Sequence, residues 1–214
     1  LENTHNFCQG SPIKPEFMDG LGDLAEKYGL KVHLDGARLF NAAVALDIDV
    51  EVLTKRVDSV MFCLSKGLSA PVGSIVCGER GFIQRARKFR KMVGGGMRQA
   101  GHLAAAGLVA LESQAERLKD DHLNAMFLAE QLASYEGIEL DQKSVKTNII
   151  FFKLNHPRID EDLFLRELEA NSIKILMTDP GIFRAVLHRE ITREQVETVA
   201  KVIQSVLNKG QQVS

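Results

Sequence analysis

One lysine is placed where an amine could act as a nucleophile. Lys66 follows an apolar segment at 58–64 and comes immediately before a turn of small residues at 67–74. A lysine on a water-exposed helix is protonated and reacts poorly, whereas a lysine at a strand end beside apolar residues can attack an aldehyde. Lys66 is therefore predicted to form a Schiff base, and the alternative is an ordinary solvated loop lysine.

An acidic residue ends the preceding apolar stretch in the same way. Asp35 closes a predicted strand at 30–35, about one βα unit before Lys66. Ligands of open parallel sheets lie beyond the carboxyl ends of the strands, so Asp35 and Lys66 could converge on one cofactor. Pyridoxal phosphate needs such a pair, because the lysine holds the aldehyde and a carboxylate keeps the pyridine nitrogen protonated. Asp35 could also cap the helix that follows it.

Four ordered motifs resemble the low-specificity L-threonine aldolase family. They are LENTHN at 1–6, HLDGARLFNA at 33–42, LSKGL at 64–68 with PVGS at 71–74, and GGGMRQAG at 94–101. The resemblance continues through Thr147 and the segment 184–188, so that it covers essentially the whole chain. LSKGL alone would be a weak signal, but the ordered set is specific.

The resemblance implies roles for three arginines. Arg38 and Arg184 match the family's two substrate-carboxylate arginines, and a planar guanidinium suits a carboxylate because it binds both oxygens. Arg98 follows three glycines and is expected to open a helix, where it would face the cofactor phosphate. In the family this arginine comes from a neighbouring subunit, which implies a homodimer or homotetramer with a shared site. The alternatives are a structural ion pair for Arg38 and a surface linker for Arg98.

The resemblance also implies the reaction, which is cleavage of L-threonine or L-allo-threonine to glycine and acetaldehyde on pyridoxal 5'-phosphate. His5 would accept the proton of the substrate hydroxyl, since histidine titrates near neutral pH. Ser65 would bind the cofactor phosphate or cap its turn. Lys66 and His5 are thus the expected catalytic residues, and a structural role for His5 stays open.

Composition sets the class of protein. The 214 residues are 45% hydrophobic and carry a net charge of −1, which favours neither nucleic acid nor an anionic membrane as a partner. The three cysteines, Cys8, Cys63 and Cys77, are odd in number and lack CxxC spacing, which argues against disulfides and a metal site. We expect Cys63 and Cys77 in the core and a cytoplasmic protein, with a mitochondrial location as the alternative. The chain starts inside a family motif, so an upstream segment is expected to be missing.

The pattern of elements predicts an α/β protein with a mostly parallel sheet, as in fold type I pyridoxal phosphate enzymes. A helix from Pro15, with Phe17, Leu21, Leu24 and Ala25 on one face, leads into the strand at 30–35, and a helix near 49–56 leads into the strand at 58–64. A third strand at 73–78 returns antiparallel. We expect residues 1–120 to belong to the large cofactor-binding domain and 121–214 to form a small α+β domain.

Two other functions remain open. A related β-eliminating lyase would expel a side-chain group and yield pyruvate and ammonia instead of an aldehyde and glycine. A truncated, inactive subunit would supply Arg98 and an association surface to a partner.

Overall fold

The computed structural model describes residues 1–209 of the chain. The chain divides into two compact units, one formed by 1–5 with 11–118 and the other by 6–10 with the residues from 119 onwards. The sequence-based division near residue 120 does not predict that residues 6–10 group with the second unit.

The first unit alternates helices and strands. Its helices are α1 (Pro15–Lys27), α2 (Leu39–Leu46), α3 (Val50–Thr54), α4 (Arg80–Met92) and α5 (Gly101–Ser113), and its strands are β1 (His33–Asp35), β2 (Ser59–Cys63) and β3 (Ser74–Gly78). The sheet order is β1-β2-β3, with β1 and β2 parallel and β2 and β3 antiparallel. The predicted βαβ order and the antiparallel return are therefore confirmed.

One face of this sheet packs on the helices of the unit. Leu34 of β1 and Val60 of β2 are buried in a cluster with Leu39 and Leu53 from α2 and α3. Side chains alternate along a strand, so Asp35, Met61 and Cys63 share the opposite face, where each is only partly buried. The sheet thus has a packed apolar face and a more open face that carries an acid and a thiol.

Helix α1 buries a different face from the one expected. Met18, Gly22 and Ala25 are its buried residues, whereas Phe17 and Leu24 are 58% and 51% exposed. Gly22 lies against Arg56, where a Cβ would come within 2.9 Å of the arginine Cβ, so the small residues face inward. The prediction is confirmed for Ala25 and wrong for Phe17 and Leu24, because the unit packs the side of the helix that carries Met18, Gly22 and Ala25.

The cysteines are also more exposed than predicted. Cys77 is exposed and Cys63 is partly buried, and both are free thiols, as is the exposed Cys8. Cys77 lies on β3, whose five residues are all exposed, so its place in the sheet does not bury it. The expected burial of both cysteines is therefore wrong.

The second unit is an antiparallel sheet with helices. Its strands are β4 (Ile138–Glu139), β5 (Ile149–Leu154), β6 (Leu176–Asp179) and β7 (Ile182–Val186), and its helices are α6 (Leu118–Ala133), which begins at the boundary, α7 (Glu161–Ala170) and α8 (Arg193–Lys209). The order is β4-β5-β7-β6. Phe152, Phe164 and Phe183 form the aromatic centre of its core, with ring centroids 5.1 to 6.3 Å apart.

The helical region between residues 101 and 133 consists of two helices. α5 ends at Ser113 and α6 begins at Leu118, with a turn between them. Within residues 1–209, none of the helices combines the length and the apolar character needed to cross a membrane.

Candidate active site

Three parallel chain segments end at the same edge of the first sheet. The amide of Asp35 donates to the carbonyl of Leu1 at 2.8 Å, and the amide of Asn3 donates to the carbonyl of Asp35 at 3.0 Å. On the other side of Asp35, the amide of Gly36 donates to the carbonyl of Met61 at 2.8 Å. Asp35 therefore sits between the N-terminal segment and β2, at the carboxyl edge where open parallel sheets bind their ligands.

The carboxylate of Asp35 is held by its own turn. Its Oδ1 accepts a hydrogen bond from the amide of Ala37 at 2.9 Å, which is the geometry of an Asx turn. Helix α2 begins two residues later and has Arg38 as its N-cap residue. The suggested role of Asp35 as the cap of this helix is therefore wrong, and the turn fixes the carboxylate at the sheet edge instead.

Lys66 lies on a short loop beyond β2. The strand ends at Cys63, and the side chain of Lys66 is exposed rather than packed against apolar neighbours as expected. Leu64 and Leu68, on either side of it, are buried at 6% and 2% exposure, and the amide of Ser69 closes the turn on the carbonyl of Lys66 at 2.9 Å. The backbone is anchored by the leucines while the amine points outward.

Gly67 explains how closely this loop approaches the rest of the unit. A Cβ at Gly67 would lie 2.7 Å from Cδ2 of Leu118 and 3.0 Å from Oδ1 of Asn41. Contacts this short force a neighbouring group to move, so a residue with a Cβ at this position would displace the side chain of Leu118 or Asn41. Gly67 therefore allows the Lys66 loop to pack closely against Asn41 of α2.

Arg38 lies close to two carboxylates and a thiol at the same edge. Burial lowers the pKa of the Arg38 guanidinium, and the charges of Glu2, Cys63 and Asp35 oppose that shift. An arginine stays protonated under such conditions because its ordinary pKa lies far above neutral pH. Arg38 thus presents a partly buried positive charge next to Asp35.

His5 turns back over the N-terminal segment. Its Nε2 lies 3.3 Å from Oε2 of Glu2, and both side chains are partly exposed. Thr4, between them, adopts φ of 53°, in the left-handed region that β-branched residues rarely enter. The structure therefore brings four predicted site residues, His5, Asp35, Arg38 and Lys66, to one edge of the sheet.

Ser65 and Arg98 are exposed parts of the first unit. Ser65 is in the same loop as Lys66. Arg98 does not open a helix, since α5 begins at Gly101 and its N-cap residue is Ala100. The hydrogen bonds and ion pairs among residues 1–209 do not link Arg98 to Asp35, Lys66 or Arg38. Helix α4 ends at Met92, and Gly94, with φ of 85°, lies in the loop that leads to Arg98.

Arg184 belongs to the second unit. It lies on the middle of β7, in register with Phe151 of β5 and Leu176 of β6, and it is partly buried. Phe183, the preceding residue, points into the core, so Arg184 points to the opposite face of the sheet. The strand therefore holds the guanidinium away from the core.

Glu2 is a residue of this edge that the motifs did not single out. It is bridged in parallel to Asp35, its carboxylate contacts His5, and its charge acts on Arg38. The sequence signal that could have identified Glu2 is its place in LENTHN, three residues before His5. That spacing predicts a contact only if the chain turns at Thr4.

The site residues offer an amine, a carboxylate, a guanidinium and an imidazole at one sheet edge. An aldehyde can be bound by the amine, a protonated ring nitrogen by the carboxylate, and an anionic group by the guanidinium. This set of donors fits pyridoxal phosphate. These four residues do not include a ligand for the cofactor phosphate, because Arg98 lies on the loop before α5.

Comparison with known proteins points the same way. The family model for beta-eliminating lyases matches residues 1–155. The chain is 41% identical over 208 residues to low-specificity L-threonine aldolase 1 of Arabidopsis thaliana, covering 97% of this chain and 58% of that protein. The chain therefore spans less than two thirds of the length of this relative.

Solved structures share the fold. A Leishmania major threonine aldolase superposes with a TM-score of 0.76 at 17% identity, covering 97% of this chain and 60% of that one. A PLP-dependent aminotransferase from Streptococcus suis 89-1591 gives a TM-score of 0.73 at 17% identity, covering all of this chain and 57% of that one. The aminotransferase-like fold predicted from the sequence is confirmed.

Proposed function

Since the chain belongs to the beta-eliminating lyase family, we propose that it supplies part of a pyridoxal phosphate site that cleaves L-threonine and L-allo-threonine to glycine and acetaldehyde. The observation that carries the proposal is the arrival of Asp35, Arg38 and the Lys66 loop at one carboxyl edge. The relatives named for this activity are longer than this chain, so the activity of the whole protein is part of the proposal.

Lys66 and Asp35 would hold the cofactor from opposite ends. When bound, pyridoxal phosphate supplies an aldehyde that takes up an amine and a ring that accepts the electrons of a bond to Cα. Lys66 presents its amine on a loop whose backbone is anchored by buried leucines, so the amine can reach a ligand without distorting β2. Asp35, fixed by the amide of Ala37, would bind the ring nitrogen.

The arginines would orient the substrate. Arg38 is held beside Asp35 and would bind the carboxylate of the amino acid through two parallel hydrogen bonds. Arg184 is proposed as the second carboxylate ligand, on the resemblance of its segment to the family motif. Two fixed contacts to one carboxylate restrict rotation about the Cα bonds and thereby choose the bond that breaks.

His5 would take the proton of the substrate hydroxyl. Loss of this proton allows the Cα–Cβ bond to break and the aldehyde to leave. The imidazole lies on a turn at the same edge as Asp35, which supports this role. Ser65 and Arg98 are proposed as phosphate ligands, with Arg98 supplied by a neighbouring copy in a homodimer or homotetramer. We also propose a cytoplasmic location, which the free thiols of its cysteines support.

Product analysis tests the proposal. The purified chain is incubated with pyridoxal phosphate and L-threonine, and acetaldehyde, glycine, pyruvate and ammonia are measured. We expect acetaldehyde and glycine in equal amounts, and loss of both in Lys66→Ala but not in Lys55→Ala, which removes an exposed lysine of α3's C-terminal end. Pyruvate and ammonia would favour β-elimination, which the family name also covers.

If no product forms, activity of this chain by itself is contradicted. The remaining function, an inactive subunit that contributes to a partner's site, is then tested by mixing the chain with a longer aldolase subunit and measuring their association and activity. Restored activity in a mixture, lost with Arg98→Ala, would support a role as a partner subunit.

A further inference from the structure

Glu2 and His5 form a contact that depends on an unusual backbone turn. Thr4 has φ of 53°, and this left-handed conformation reverses the chain so that the imidazole of His5 returns to Glu2. Such a conformation is unfavourable for a non-glycine residue and persists only where surrounding contacts enforce it. The turn is therefore a feature that the fold holds in place.

Two sets of hydrogen bonds hold this turn. The hydroxyl of Thr4 lies 2.5 Å from the carbonyl oxygen of Asn3 and 3.2 Å from that of Arg38, at the start of α2, and its one proton can be donated to either. Asn3, 1% exposed, accepts from the amide of Ile13 at 2.8 Å and donates to its carbonyl at 3.4 Å. The chain between Glu2 and His5 is thus held by hydrogen bonds of Asn3 and Thr4.

The carboxylate of Glu2 contacts one proposed site residue, and its charge acts on a second. Its Oε2 is 3.3 Å from Nε2 of His5, and its charge is the first of the neighbouring charges that act on the Arg38 guanidinium. A parallel backbone bridge pairs Glu2 with Asp35 at the edge of the sheet. Glu2 therefore contacts the imidazole from a backbone position that is paired with Asp35.

We propose that Glu2 is a positioning residue that orients the imidazole of His5 for proton transfer at the substrate hydroxyl. The inference rests on the proposed function, because it assigns His5 to that proton. A carboxylate at Nε2 selects the ring orientation in which Nε2–H donates to it. The other ring edge then points away from Glu2.

Chemical modification of the chain without cofactor tests the contact. Diethyl pyrocarbonate acylates imidazole nitrogens, and mass spectrometry of peptides measures the rate at each of the six histidines. We expect Glu2→Gln to raise the rate at His5 by about twofold to fivefold, the factor that a partly exposed ion pair of this kind can contribute. His33, whose Nδ1 lies 2.8 Å from Oγ of Ser59, serves as the internal reference.

Two further variants make the result specific. Glu2→Asp keeps the charge and should give an intermediate rate at His5. Asp19→Asn removes one negative charge from the exposed surface of α1 and should leave the rate unchanged. An unchanged rate at His5 in Glu2→Gln, or an equal rise at His33, would overturn the proposal.

Steady-state kinetics of the loaded enzyme provide the second readout. We expect Glu2→Gln to lower kcat by about tenfold with little change in KM, because the misplaced imidazole affects the proton-transfer step. Glu2→Asp should recover part of the loss. Equal kcat in wild type and Glu2→Gln would overturn the proposal. If the wild-type chain has no aldolase activity, the proposed function fails, and the modification rates still decide whether Glu2 holds His5.

Discussion

Asp35 lies directly opposite Met61 in the parallel ladder between β1 and β2. The ladder continues one step further, where the amide of Gly36 donates to the carbonyl of Met61. This register fixes the end of β1 relative to the end of β2, and Lys66 follows three residues after β2 ends at Cys63. The sheet thus fixes where Asp35 and the start of the Lys66 loop lie relative to each other.

Gly36 is required by this ladder. A Cβ at this position would lie 2.9 Å from the carbonyl oxygen of Met61 and 3.0 Å from Cβ of Leu39. We expect Gly36→Ala to lower the free energy of unfolding by about 1 to 3 kcal/mol, because the backbone must move apart. Urea denaturation measures the change.

Gly20→Ala is the matched control for that experiment. Gly20 lies within α1, and an added Cβ would meet no atom within 4 Å. We expect this substitution to be neutral or to stabilise the protein by up to about 1 kcal/mol. Equal stability of the two variants would contradict the close approach at Gly36.

Arg38 should be sensitive to replacement by lysine. A lysine keeps the positive charge but cannot form the paired hydrogen bonds of a guanidinium to a carboxylate. We expect Arg38→Lys to raise KM for L-threonine by about tenfold. Arg56→Lys, which alters the pairing with Asp23 outside the site, should leave KM unchanged. Equal KM values in the two variants would remove Arg38 from substrate binding.

The sequence could predict the site edge because its signals are local. An apolar strand followed by Asp35, and another followed by Lys66, require only short-range patterns and the rule that parallel strands end at one edge. The face of α1 could not be predicted in this way. The helix has an apolar stripe with Phe17 and Leu24 and a small-residue stripe with Gly22 and Ala25, and only the tertiary partner decides which is buried.

The role of Glu2 required the structure for a different reason. A contact between residues three apart outside a helix depends on the turn at Thr4, and a threonine with positive φ is not expected from its residue type. The exposure of Cys77 likewise depends on what covers β3, which strand propensity does not report.

His122 predicts a pH dependence of stability. Burial lowers the pKa of His122 to about 4 in the folded protein, against an ordinary value of 6.5, and the charge of Asp121 opposes the shift. Between these values the unfolded chain binds the proton and the folded chain does not, so stability should fall as pH decreases from 6.5 towards 4. Urea denaturation at several pH values should show a shallower fall in His122→Leu. His102→Gln, an exposed substitution, should keep the wild-type slope.

Thr147 should stabilise the second unit through a buried hydrogen bond. Its hydroxyl donates to the carbonyl of Gly10 at 2.9 Å, and the residue is fully buried. We expect Thr147→Val to cost about 1 to 3 kcal/mol, because the carbonyl loses its partner. The exposed Thr198→Val should change stability by less than about 0.5 kcal/mol. A similar loss in both variants would contradict the assigned contribution.

The identity of the cofactor-binding lysine is tested most directly by borohydride reduction. The chain is incubated with pyridoxal phosphate, reduced, digested and mapped by mass spectrometry. We predict one major site of modification at Lys66, which disappears in Lys66→Ala and persists in Lys55→Ala. Modification at another lysine, or none in the wild-type chain, would contradict the assignment of Lys66.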